Sequence, residues 1–112
     1  MKTEVKQEHN STLIDISGSV DALTAPELSK ILLHQIADGH VNLVVSLIRV
    51  EFMSSAGLRT LLGAVKEARS NGGDLRIASA NIGVDKVLKM SGFHNIAKVF
   101  PTQAEAVSSF DS

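Results

Sequence analysis

Two adjacent hydroxyls, Ser54 and Ser55, stand where an apolar run ending in Met53 stops and a helix-like pattern begins. Gly57 follows, and Arg59 lies four residues after Ser55, one turn further along the same helix face. Serine at such a junction has two uses. It can be the N-cap, its oxygen accepting a hydrogen bond from a first-turn N–H for about 1 kcal/mol. It can also be the reactive point of the protein, because orphan N–H groups and the helix dipole stabilise a phosphate there. Phosphorylation would add about −1.5 to −2 charges and three acceptor oxygens. On a flat, lightly charged surface that change abolishes docking without unfolding anything. Gly57 would let a partner's backbone come close, and Arg59 can pair with a phosphoserine or with an acidic group on a partner.

Other chemistry is poorly supported. His9, His34, His40 and His94 match no metal-ligand spacing such as H-E-x-x-H, and no serine sits in a G-x-S-x-G elbow. Asp15 and Asp21 are six apart and nominally share one side of a strand, an arrangement that a bend around Gly18 would break. The segment "SNGGD" fits neither phosphate-loop pattern and precedes a strand, so it reads as a plain turn. No catalytic residue, metal or cofactor is indicated, and the chain reads as a non-enzyme.

The elements that must hold the serines follow from hydrophobic period. "TEVKQEH" and "TLIDISG" are strands joined by a hairpin at Asn10-Ser11; in the second, Thr12, Ile14 and Ile16 alternate with Leu13, Asp15 and Ser17. "TAPELSKILLHQIADG" switches to helical spacing at Leu28, Ile31, Leu32 and Ile36, with Thr24 and Glu27 as a capping box. "VNLVVSLI" is a strand buried on both faces, and Leu58, Leu61, Leu62, Val65 and Ala68 mark the second helix. "LRIAS" is a strand, and Val84, Val87 and Leu88 mark a helix that stops at Gly92. "AKVF" makes a short last strand before a helix capped by Thr102 and Glu105. The order β-β-α-β-α-β-α-(β)-α predicts a single α/β domain over 1–112, with a mixed sheet of about four to five strands and about four helices.

Composition agrees. With 44% hydrophobic residues the chain can build one core, and its net charge of −1, spread evenly, offers no basic block for nucleic acid. Cysteine is absent, which removes disulfides and thiolate metal sites and fits a cytoplasmic setting. "MKTEVKQEHN" lacks the apolar core of a signal peptide, and no apolar run is long enough to span a bilayer.

At this point "FMSSAGLRTLL" resembles the signature of the STAS-domain anti-sigma-factor antagonists, Phe-(Ile/Met)-Asp-Ser-(Ser/Thr)-Gly-Leu. "ISGSVDALTAPEL" resembles the family's Gly-x-x-Asp segment, "VNLVVSLIRVEF" its central strand, and "VLKMSGFHNIAKVFPTQAEAV" its ending, so the likeness covers nearly the whole chain. The resemblance implies a phosphorylation-controlled switch in transcription regulation. The unphosphorylated form sequesters an anti-sigma factor that is also a serine kinase; the kinase phosphorylates the antagonist and is released, and a serine phosphatase resets the system. It places the acceptor on Ser55 and a docking surface at Asp21, Ser54, Ser55, Gly57 and Arg59. Direct nucleic-acid binding and membrane association are not implied. This chain departs from the pattern at Ser54, in place of an acidic neighbour, at Ser46, where the strand commonly has Asp or Asn, and at Arg59, where some antagonists have Gly. The alternative is an unphosphorylated STAS interaction module in another signalling complex.

Overall fold

The computed structural model describes residues 1–111. Strands β1 (Lys2–Gln7) and β2 (Thr12–Val20) form the expected hairpin, followed by α1 (Ala25–Ala37), β3 (Asn42–Met53), α2 (Ser55–Ser70) and β4 (Asp74–Ala78). Then come α3 (Ile82–Met90), a 3-10 turn at Phe93–Asn95, β5 (Val99–Phe100) and α4 (Gln103–Ser108). The five strands lie in chain order, β1 antiparallel to β2 and all later neighbours parallel. The result is the mixed sheet expected from a hairpin followed by β-α alternation.

Alternation in β2 sorts its side chains. Ile14 and Ile16 are fully buried on the face covered by α1, α2 and α3, where they meet Leu28, Leu32, Leu61 and Leu88. Each such leucine, removed from water, contributes about 1.5–3 kcal/mol. Leu13 points the other way, with Val44 and Ala78, under Ala106 of α4. On that second face Ser46, fully buried, accepts a hydrogen bond from Gln103 of α4 at 2.8 Å. The strand thus keeps a polar group in its middle because α4 supplies a partner for it.

Three local expectations are corrected. The third strand was expected to end near Ile48 but runs on to Met53; Asn42–Ser46 pair with β4, and the seven residues from Leu47 to Met53 project beyond it. This overhang is held by β2 on one side, through Val20 opposite Met53, and by Asn81 on the other, whose side-chain amide donates to the Val50 carbonyl at 2.7 Å. The capping box at Thr24 and Glu27 does not form: Thr24 makes no side-chain cap bond to α1. Asp15 and Asp21 are not brought together either, because β2 carries register shifts at Asp15/Ser17 and Gly18/Ser19 and ends before Asp21. At α4 the Thr102 hydroxyl oxygen does accept from the Glu105 N–H, at 3.1 Å.

Candidate functional site

Strand β3 passes into α2 through a single residue, Ser54. Its backbone is extended (φ −87°, ψ 171°), and its Oγ accepts from the Gly57 N–H at 3.2 Å. Its own N–H donates to the Val20 carbonyl at 2.8 Å, which stitches the β3–α2 junction to the end of β2. Ser54 is therefore the cap, and Ser55, the first residue of α2, is left exposed with its hydroxyl outside the cap. Of the two serines, the cap thus falls to Ser54. This accounts for serine in the place of an acid: Ser and Asp cap with similar strength, so the substitution removes a charge while keeping the cap. We expect Ser54→Ala to cost about 1 kcal/mol, and roughly 4–8 °C in Tm, with Ser54→Asp restoring most of it; thermal denaturation measures both.

Asp21 acts on the neighbouring junction. Its Oδ1 accepts from the N–H groups of Leu23 (2.9 Å) and Thr24 (3.1 Å), and its carbonyl accepts from the Ala25 N–H at 2.8 Å. The Thr24 hydroxyl oxygen in turn accepts from the Asp21 N–H at 3.0 Å. Asp21 thus fixes the turn that leads into α1, instead of pointing freely at a partner. The Thr24 N–H foremost, then the Leu23 N–H and the Thr24 hydroxyl, hold its carboxyl below the usual carboxylate range against a smaller opposing effect of burial. A folded-state value below the unfolded one means that this stabilisation is present above the unfolded pKa and is lost as pH falls through the folded one. Asp21→Asn keeps the acceptor oxygen but not the charge. Its stability deficit relative to wild type, measured by denaturant titration, should therefore shrink as pH is lowered from 6 towards 3.

Gly57 has a different role from the one expected. It is buried, and a Cβ there would lie 2.5 Å from Met53 Sδ and 2.8 Å from Val20 Cγ1. Its missing side chain lets α2 settle on the ends of β2 and β3, and it offers no open path to a partner's backbone. Arg59 is exposed one turn after Ser55, at the wall of an open groove of about 510 Å³ between α1 and α2. Among the described residues Arg59 forms no ion pair, whereas Arg69 and Arg76 both engage Asp74.

The structure adds two residues that spacing had not marked. Leu23, in the turn fixed by Asp21, and Ile82, opening α3 after the Asn81 cap, are each 90% exposed. Both sit at β-α junctions on either side of the β3–α2 junction, since β2, β3 and β4 are adjacent and parallel. Their signal in the sequence was negative: Leu23 precedes the helical period of α1, and Ile82 stands outside the Val84, Val87, Leu88 set. Phe52, on the overhang, is 55% exposed.

The STAS domain profile matches residues 2–106, and the chain belongs to this family. The anti-sigma F factor antagonist of Paenibacillus polymyxa is 25% identical over 114 aligned residues, covering 99% of this chain and 97% of that protein. A crystal structure of an anti-sigma factor antagonist from Mycobacterium paratuberculosis has the same fold, with a TM-score of 0.91 at 23% identity over 99% of this chain and 94% of the other. So does the phosphorylated form of the Bacillus cell fate determinant SpoIIAA, with a TM-score of 0.75 at 19% identity over 96% and 98%. Among the described residues no helix is long and apolar enough to cross a membrane, and no cluster of His, Asp and Glu is arranged to hold a metal.

Proposed function

We propose that this protein is an anti-sigma factor antagonist that works in the cytoplasm as a protein-binding switch, with Ser55 as the switch. Unphosphorylated, it docks on an anti-sigma factor through Ser55, Arg59 and the apolar side chains of Leu23 and Ile82. The partner, acting as a serine kinase, moves the γ-phosphoryl group of ATP to Ser55 Oγ; the hydroxyl gives up its proton and ADP leaves. The new charge stands among groups that the interface would bury, and burying an uncompensated charge costs more than the apolar contacts return. The complex dissociates, and a serine phosphatase restores the hydroxyl. The protein supplies the acceptor and the docking surface, and no catalytic group of its own.

The observation that carries this reading is the split between the serines: Ser54 is held by Gly57 and Val20, while Ser55 is exposed at the first position of α2. Incubation with candidate kinases and ATP, followed by mapping of the modified residue, tests it. Phosphate is expected on Ser55 alone, and its arrival at Ser54 or elsewhere rejects the assignment.

A further inference from the structure

We propose that Arg59 is an internal receptor for the phosphate on Ser55, so that phosphorylation both adds a charge at the docking surface and withdraws a cation from it. This rests on the reading of Ser55 as the acceptor.

Four residues along α2 amount to about 6 Å of rise and bring the two side chains to one face. Side chains in a helix lean towards its N-terminus, so Arg59 leans over the turn that begins with Ser55. The order is the favourable one, with the anion N-terminal to the cation. A guanidinium offers paired N–H donors that match two phosphate oxygens, which a lysine at that place would not do. Arg59 is exposed and free of any carboxylate among the described residues. Arg49, the other arginine outside an ion pair, lies instead beside Lys2, Glu4 and Asp15. The adjoining elements carry the acids Asp21, in the β2–α1 turn, and Glu51, on β3, together with the Met1 amino group, which lies by Gly18 of β2 and acts on Asp21. The acids oppose ionisation of a phosphate on Ser55, the amino group and the N-terminus of α2 favour it in every variant, and Arg59 adds a cation on the same helix face.

The consequence is a switch with two changes from one modification. Before phosphorylation the surface offers a hydroxyl and a free cation, suited to a partner with an acidic group. Afterwards it offers a dianion bound to its own helix, with the guanidinium occupied. An acidic group on the partner then loses its counter-charge at the moment it meets a phosphate.

The test uses the full chain with phosphoserine installed at position 55 during translation, so that no kinase is needed. Phosphorus NMR follows the second ionisation of the phosphate against pH in wild type, Arg59→Ala and Arg59→Lys. Loss of the guanidinium should raise the titration midpoint by about 0.5 pH, with Arg59→Lys between, and the difference should fade in about 1 M salt. Circular dichroism confirms that each exposed-site variant is folded. Superimposable titrations for wild type and Arg59→Ala overturn the proposal. Phosphate missing from Ser55 after treatment with kinases would instead count against the acceptor assignment, and would leave the titration result standing.

Discussion

Ser55→Asp should weaken binding of the anti-sigma factor by roughly 30-fold or more, while the thermal midpoint shifts by no more than about 2 °C. The two halves of this result have separate origins. In a complex, a carboxylate at position 55 is taken out of water, and even with Arg59 beside it the desolvation of the charges costs more than their attraction returns. In the free protein the same carboxylate sits at the N-terminus of α2, where the dipole favours negative charge by about 0.3–1 kcal/mol. Alone among the four helices, α2 has no acid in its first turn, so nothing repels the newcomer from within its own helix. The midpoint should therefore stay still or rise slightly. Ser55→Ala should bind as well as wild type and accept no phosphate. Calorimetric titration with the partner measures the first effect and a thermal scan the second. Wild-type affinity in Ser55→Asp would remove Ser55 from the switch; a large fall in its midpoint would make the residue structural.

The second large effect concerns two glycines of α2 that substitution should drive in opposite directions. At Gly57 a methyl group meets Val20 Cγ1 at 2.8 Å and the Val20 carbonyl oxygen at 3.2 Å, besides the more yielding Met53 sulfur. Overpacking of this kind costs about 1–3 kcal/mol, and alanine's better helix propensity returns at most about 1 of it. Gly63 is exposed, and nothing lies within 4 Å of a Cβ there, so Gly63→Ala keeps the full propensity gain. The two variants should differ by roughly 10 °C in midpoint, Gly57→Ala below wild type and Gly63→Ala above it. If Gly57→Ala proves neutral, α2 shifts on the sheet more freely than its packing implies.

How much of this was legible beforehand depends on whether the information was periodic or contextual. The order of strands and α-helices was readable, because Ile14 and Ile16 alternate, Leu28 and Leu32 recur at helical spacing, and Gly39, Gly72 and Gly92 follow the ends of α1, α2 and α3. The reach of β3 to Met53 was not readable. Residues Ile48, Arg49, Glu51 and Phe52 are exposed and break the apolar run, since the overhang lacks β4 beside it and needs no continuous burial. The cap of α1 was misread for a related reason. Thr24-x-x-Glu27 has the pattern of a box, but the Thr24 hydroxyl is engaged by the Asp21 N–H and the Ser19 carbonyl, and the Thr24 N–H by the Asp21 carboxylate. The candidate site residues were named through resemblance to the family signature. Their individual jobs were not, for nothing in the string "SSAG" says which serine faces inward, or that the glycine fills an interior gap. Leu23 and Ile82 went unmarked because exposure of an apolar side chain becomes visible only when its neighbours are known.

The one-residue passage from β3 to α2 has an evolutionary side as well. A junction with no slack cannot absorb a change in chain length. One inserted residue would rotate everything that follows on the helix by about 100°, carrying Arg59 away from its place and turning the Leu61 and Val65 face out of the core. Lineages that diversify this surface are therefore confined to exchanging side chains at fixed positions. Any new pairing there must be written in side-chain chemistry alone.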